Sequence, residues 1–301
     1  MALKQILVTG GTGFVGSHLI PELLSDGWQV EVLTRDKARA EKTLDSRVSC
    51  IESLAEAGEP QAIVNLAGEN LADGRWTDAR KKEMRESRLS ITRDLVAFIA
   101  QCKTKPEVLV SGSAVGYYGA RGSEVLDEDS APGDEFQADL CHDWEAEAER
   151  AETHGVRVCV VRTGIVLGAN DGALAQMITP FKFGLGGHFG TGEQFMPWIH
   201  IRDETGAIRF VLDSTDARGA YNLTAPEPVT NKTFTDTLAK VLHRPSFAWV
   251  PGPALKIAVG EMSHLLLTGQ RAVPRKLQSG GYQFVFTDLE AALDDLVGAK
   301  R

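Results

Sequence analysis

The 301-residue chain holds only four cysteines, Cys50, Cys102, Cys141 and Cys159, and no two of them form a C-x-x-C pair. Thiols so far apart argue against a zinc site or a disulfide framework; reduced structural thiols and no metal are expected. No apolar run reaches the ~18 residues needed to span a bilayer. Positive charge is in deficit, with a net charge of −9, which disfavours nucleic acid or an anionic membrane as the main partner. The first apolar strand begins by Gln5, leaving no room for a signal peptide, so a soluble cytoplasmic protein is expected. The expected partners are a small-molecule substrate and, at most, a second copy of the chain in a homodimer. Internal repeats and low-complexity tracts are missing as well.

What is present begins with Gln5-Ile6-Leu7-Val8-Thr9-Gly10-Gly11-Thr12-Gly13-Phe14-Val15-Gly16. A strand suited to burial runs straight into glycines at 10, 11, 13 and 16. An amphipathic stretch follows, with Val15, Leu19 and Leu23 on one helical face. Glycines alone mark ordinary turns, but strand, glycine loop and helix together are the context of a dinucleotide site. The loop glycines let the backbone approach a pyrophosphate, Gly16 lets the helix pack closely, and the positive helix end holds the phosphate charge.

Trp28 to Thr34 reads as a second strand with Arg35 at its end. An acid near this point takes the ribose 2′-hydroxyl of NAD, whereas an Arg suits the 2′-phosphate of NADP. Asp36 is the competing acid, but it precedes Lys37-Ala38-Arg39-Ala40 and reads better as a helix cap. NADP(H) is therefore favoured over NAD(H), with a merely solvated Arg35 as the plainer alternative. Further strands are read at Val48–Ile51, Ala62–Ala67, Val108–Ser111 and Val156–Val161. Helices are read at about 77–102 and 135–154. The alternation predicts an α/β fold: a Rossmann-type doubly wound parallel sheet with right-handed crossovers. After Gly168 the pattern changes, with a glycine-rich stretch at 183–192, a short strand at Tyr221–Leu223, and helical stretches at 231–242 and 253–267. Residues 1–168, joined by about 195–225, form the expected dinucleotide-binding domain. Residues 169–301 form a smaller, mainly substrate-binding or lid region of mixed α/β ending in helices.

The glycine loop, with Asn65-Leu66-Ala67-Gly68, Ser111-Gly112-Ser113-Ala114, Tyr118-Gly119, Arg162 and Trp198-Ile199-His200-Ile201-Arg202-Asp203, resembles the extended short-chain dehydrogenase/reductases, the NAD-dependent epimerase/dehydratase group. The doubled Tyr117-Tyr118, the Glu69-Asn70-Leu71 and Arg75-Trp76 run, and the tail Gly269-Gln270-Arg271 with Pro274 and Leu277 are similar to its atypical epimerase-like branch. Members of that branch mostly lack a known reaction. The resemblance implies cofactor contacts at Gly10, Gly11, Thr12, Gly13, Phe14, Val15, Gly16, Arg35, Leu66, Ala67, Gly68 and Ser111. It also implies acid/base chemistry from a Ser after the fifth strand and a Tyr-x-x-x-Lys pair on the next helix.

Here the chain departs from the pattern. The four tyrosines, Tyr117, Tyr118, Tyr221 and Tyr282, are followed four residues on by Arg121, Gly122, Ala225 and Phe286, and no lysine occurs between Lys105 and Lys182. The expected helix offers Gln137 and Cys141 near those places. The candidates that remain are Ser113, Tyr117 and Tyr118 at the fifth-strand exit. A Tyr117–Arg121 substitute is interrupted by Gly119, and pocket-walling tyrosines are the plain alternative. A free tyrosine has a pKa near ~10, so it is a poor base and a sound acid at pH 7. His200, an Arg202–Asp203 ion pair and a basic cluster at Arg271, Arg275 and Lys276 are weaker candidates. Two function classes follow: an atypical NADP-dependent epimerase- or reductase-like enzyme acting on a small carbonyl or nucleotide-sugar-like substrate, and a non-catalytic NADP(H)-binding or redox-sensing protein.

Overall fold

In the computed structural model, residues 4–71, 74–169 and 171–298 are described. Seven strands form one sheet: β1 Gln5–Thr9, β2 Gln29–Leu33, β3 Ser49–Ile51, β4 Ala62–Asn65, β5 Val108–Ala114, β6 Arg157–Thr163 and β7 Gly219–Leu223. Their order is β3-β2-β1-β4-β5-β6-β7, and every pairing is parallel. The chain reverses direction across the sheet between β1 and β4, which opens a crevice at the strands' carboxyl ends.

Both faces of the sheet are covered, as a parallel sheet requires. Along β1, Ile6 and Val8 enter one core with Leu19, Leu23 and Val211, while Leu7 enters the other with Ile63, Leu95 and Ile99. Helices α1 (Phe14–Ser25) and α6 (Ile201–Asp213) pack together on the first face, and α3 (Asp78–Gln101) and α4 (Phe136–Glu149) on the second. The short helix α2, Lys37–Thr43, is capped by Asp36, whose carboxylate accepts the Arg39 N–H at 3.0 Å. Thr77 caps α3 in the same way, accepting from Arg80 N at 3.2 Å.

Two helical boundaries differ from the sequence reading. Helix α4 tightens into a 3₁₀ turn over Arg150–His154 and stops at Gly155, where φ is +79°. The stretch read as one helix over 253–267 is two, α8 (Gly252–Val259) and α9 (Ser263–Leu267). They are separated by Gly260 at φ +65°, a backbone state that glycine enters without penalty.

The smaller lobe is built from α5 (Gly172–Lys182), α7 (Asn231–Leu242), α8, α9 and a last helix over Leu289–Val297. Leu174, Phe181, Trp198, Phe234, Leu238 and Leu293 form its core. Asp203 ties this lobe to the sheet: its carboxylate accepts the backbone N–H of Val285 at 2.7 Å and of Phe286 at 2.9 Å. The Asp203–Arg202 ion pair considered from sequence is not among the described contacts; Arg202 instead lies over the Phe286 ring, 5.7 Å from its centre. Among the described residues no helix is long and apolar enough to cross a membrane.

Candidate active site

The glycine loop sits at the crevice, between β1 and α1. Gly10 has φ +69°, and a side-chain carbon there would stand 2.6 Å from the Leu66 carbonyl, so loop and β4 exit touch through a bare backbone. A carbon on Gly16 would strike the Gly10 oxygen at 2.4 Å, which shows that Gly16 lets α1 start directly against the loop. Gly13 is different. It caps α1 without any side-chain bond, there is no acid in the first turn, and a carbon there would meet only the Gly10 oxygen at 3.1 Å. An exposed helix N-terminus with no acidic cap and open space in front fits a pyrophosphate.

The β4 exit, Leu66-Ala67-Gly68, lines the other side. Thr9 Oγ1 donates to Asn65 Oδ1 at 2.7 Å and accepts the Ala67 N–H at 3.3 Å, fixing the exit to β1. Asn65 Nδ2 donates to Thr92 and Ser111, so the Ser111 hydroxyl is held inside the sheet. Buried Arg88 supports Gly68 from below. Its guanidinium donates to the carbonyls of Met84 and Glu69 and lies over Trp144. Burial pushes its pKa down.

Arg35 projects from the end of β2 with its side chain 92% exposed, and its guanidinium donates to Glu69 at 3.0 Å. Arginine and carboxylate thus meet between the exits of β2 and β4.

At the exit of β5 the strand runs through Ala114 into a 3₁₀ turn, Val115–Tyr118. Ser113 Oγ donates to Glu145 Oε1 at 2.6 Å. Glu145 in turn accepts from Arg162 through both oxygens, at 2.9 and 2.8 Å. Arg162 also donates to the Tyr118 hydroxyl at 3.0 Å, and that hydroxyl donates to Asn222 Oδ1 at 2.7 Å. The chain Ser113–Glu145–Arg162–Tyr118–Asn222 therefore joins β5, α4, β6 and β7 below the crevice. Burial weighs against the Arg162 charge, but its bonds to Glu145 and Tyr118 prevail and raise its pKa.

The adjacent tyrosines diverge. Tyr118 is fully buried, and burial pushes its hydroxyl up to about 12 against the opposing pull of Arg162. Tyr117 is half-buried, with the Arg162 carbon 3.5 Å from its ring centre. Burial raises its pKa too, while Arg162 pulls the other way. The two rings meet edge to face at 5.4 Å. Of the three candidate hydroxyls, Tyr117 is on the residue that reaches the surface, while Ser113 and Tyr118 are buried.

Other candidates are engaged elsewhere. Gln137 donates to Glu135, Cys141 is buried with its thiol pushed up to about 11 by desolvation, and Arg121 pairs with Glu124. His200 is buried, with Nδ1 accepting the Arg202 N–H at 3.1 Å and Nε2 facing Asp295 at 3.3 Å. Burial drops its pKa to about 4 although Asp295 opposes this. Arg275 pairs with Asp127, Lys276 donates to the Arg218 carbonyl, and Arg271 covers Phe195. Among the described residues no three His, Cys, Asp or Glu side chains are grouped to hold a metal. Sequence reasoning missed Glu145: it was one acid among many on α4, and no spacing rule marks the one that turns inward. An open cleft of about 610 Å³ lies beside the start of α4, lined by Trp76, Gln137 and His264 among others.

Residues 6–224 match the model of the NAD dependent epimerase/dehydratase family. The chain belongs to that family. Residues 250–296 match a domain of unknown function, DUF1731. The epimerase family protein YfhF of Bacillus subtilis is 40% identical over 99% of both chains. The crystal structure of the human epimerase family protein SDR39U1 with NADPH superposes with a TM-score of 0.87 and 36% identity, covering 97% of this chain and 98% of that one. A nucleoside-diphosphate sugar epimerase from Corynebacterium glutamicum gives a TM-score of 0.79 at 30% identity, covering 99% of this chain and 59% of that one. The doubly wound parallel sheet and the atypical epimerase-like membership expected from sequence are both borne out.

Proposed function

We infer that this epimerase-family protein is an NADP(H)-dependent reductase of a small carbonyl compound, with Tyr117 as the proton donor. The observation that carries the reading is the Arg162 guanidinium beneath the Tyr117 ring. A cation against the ring face stabilises charge developing on the phenol oxygen, the task that a neighbouring Lys performs in a Tyr-x-x-x-Lys pair. The glycine loop, the β4 exit and Arg35 would hold the dinucleotide, and the NADPH of the SDR39U1 structure supports the reduced phosphate-bearing form. When bound, the cofactor supplies a hydride to a carbonyl carbon.

The protein's own residues handle the oxygen. Tyr117, neutral at pH 7, donates its proton to the oxygen that becomes the alcohol. Ser113, its proton directed to Glu145, keeps its lone pairs for a substrate hydroxyl. Glu145 and Arg162 position both. Burial raises the Tyr117 pKa against the pull of Arg162, so the phenol stays protonated: it holds a proton to give and no phenolate to take one from an alcohol, and reduction is the favoured direction.

A second reading, a non-catalytic NADP(H)-binding or sensing protein, draws on the burial of Ser113 and Tyr118. Following NADPH absorbance against a panel of ketones, aldehydes and nucleotide sugars separates the two. Turnover abolished by Tyr117→Phe supports the reductase; tight NADPH binding without any turnover supports the sensor.

A further inference from the structure

A second cavity, of about 580 Å³, lies between α5, α7 and the α8–α9 segment. None of the nineteen described residues lining it is charged; Met177, Phe181, Phe189, Phe234, Leu238 and Leu266 make up much of its wall. Its volume is within the range of about 300–1,000 Å³ that holds a drug-sized ligand.

The cavity adjoins the crevice. Gly172 at the start of α5 lines it, and a side-chain carbon on Gly172 would stand 2.9 Å from the Phe14 ring of the glycine loop. Asn70, two residues beyond Gly68, lines the same end. Toward solvent, Leu185 and Leu265 line the cavity while remaining exposed. Exposed Phe183 lies two residues from Leu185, and exposed Phe247 lies next to Ala248, which donates to the Gly186 carbonyl at 3.0 Å.

We propose that this cavity binds the apolar tail of an uncharged substrate, an alkyl- or isoprenoid-like chain, and not a nucleoside diphosphate. A pyrophosphate here would lose its hydration with no Lys or Arg among the described lining residues to replace it, and a buried unpaired charge is strongly unfavourable. The amide of Asn231 cannot substitute, because Oδ1 accepts the Phe189 N–H at 2.9 Å and Nδ2 points to the Met196 sulfur at 3.2 Å. The start of α5 is unfavourable to an anion too, since an acid, Asp171, occupies its N-cap position, although its side chain makes no cap bond. The proposal deepens the reductase reading by naming the substrate class.

The test is calorimetric titration of the full chain with 2-hexanone, 2-octanone, 2-decanone and UDP-glucose, each with and without NADPH. Affinity for the ketones is expected to rise about fourfold per added methylene until the cavity is full, and UDP-glucose is expected not to bind. Ala173→Trp, which fills the cavity from α5, and Met177→Lys, which charges it, should each weaken 2-decanone at least tenfold in protein folded by circular dichroism. The proposal is overturned by ketone affinity that does not vary with chain length, by UDP-glucose binding more tightly than 2-decanone, or by folded variants that both keep wild-type affinity. If NADPH itself fails to bind, the reductase reading falls, and the chain-length series without cofactor still decides the cavity.

Discussion

The Arg162 guanidinium carbon stands 3.5 Å from the centre of the Tyr117 ring and 5.2 Å from that of Tyr118, so one buried cation serves two adjacent tyrosines on different sides. Their hydroxyls are not equivalent. Tyr118→Phe removes a hydroxyl bonded to both Arg162 and Asn222 in a fully buried place. It should cost about 1–3 kcal/mol of stability. Tyr117→Phe should leave stability within about 0.5 kcal/mol, as a change at a partly exposed position, and lower reductase turnover by about 10²–10⁴. Denaturant unfolding of both variants beside their NADPH oxidation rates checks the split.

The Glu145–Arg162 pair is the second target. Both side chains are more than nine-tenths buried and bonded twice. Removing one partner leaves the other charge buried alone, at a cost of about 3–5 kcal/mol. Glu145→Gln and Arg162→Met should each be strongly destabilised, and the double variant should lose clearly less than the sum of the two. Additive losses in a double-mutant cycle by urea unfolding would show the pair to be uncoupled.

How much of this the sequence disclosed depends on how local each signal is. The glycine loop was legible because loop, strand and helix are contiguous, and Gly10 and Gly16 each answer a steric demand set by near neighbours or the β4 exit. The cap at Asp36 was legible for the same reason. Glu145 was not, because its partners Ser113 and Arg162 lie 32 and 17 residues away on other strands. Adjacency hid the difference between Tyr117 and Tyr118, since a 3₁₀ turn, not strand alternation, decides which ring goes inside. His200, read as an acid/base candidate from its type, is a cap for α6 stacked on Phe286, a residue 86 positions later in a lobe whose packing has no sequence period.

Two loop glycines should respond oppositely. Gly10→Ala places a carbon 2.6 Å from the Leu66 backbone at φ +69° and should destabilise the fold by about 1–3 kcal/mol. Gly13 has φ −78°, which valine tolerates. Gly13→Val should therefore fold normally and lose NADPH binding, because its branches fill the space in front of α1. Fluorescence titration with NADPH and thermal melting, run on both variants, distinguish the two effects.

Arg35 should set the cofactor preference. A charge-assisted contact with a 2′-phosphate contributes about 1.5–3 kcal/mol, a tenfold to hundredfold preference for NADPH over NADH. Arg35→Ala should erase that preference without altering NADH affinity. Glu69 competes for the same guanidinium, so Glu69→Gln should tighten NADPH several-fold. Unchanged NADPH:NADH ratios in both variants would remove Arg35 from the role.

The pH dependence of stability should be governed in part by Glu204. Its carboxyl is fully buried beside Thr163, whose hydroxyl donates to Oε1 at 2.8 Å, and Oε2 has no hydrogen-bond partner among the described residues. Desolvation pushes its pKa up to about 8, with Thr163 opposing weakly. In the unfolded chain the same group ionises near ~4.5. Between these values the folded state holds a proton that the unfolded state has released. The contribution of Glu204 is therefore complete below pH 4.5, falls as pH rises toward 8, and levels off above it. The size of the loss is on the order of 5 kcal/mol. His200 acts in the opposite sense at the acid end: its depressed value, about 4, means its contribution is lost as pH falls from ~6.5 through 4. Glu204→Gln keeps the shape and removes the ionisation, so urea midpoints for that variant should stay level from about pH 6.5 to 8, where those of the wild type decline. A wild-type decline that persists unchanged in Glu204→Gln would place the titrating group elsewhere.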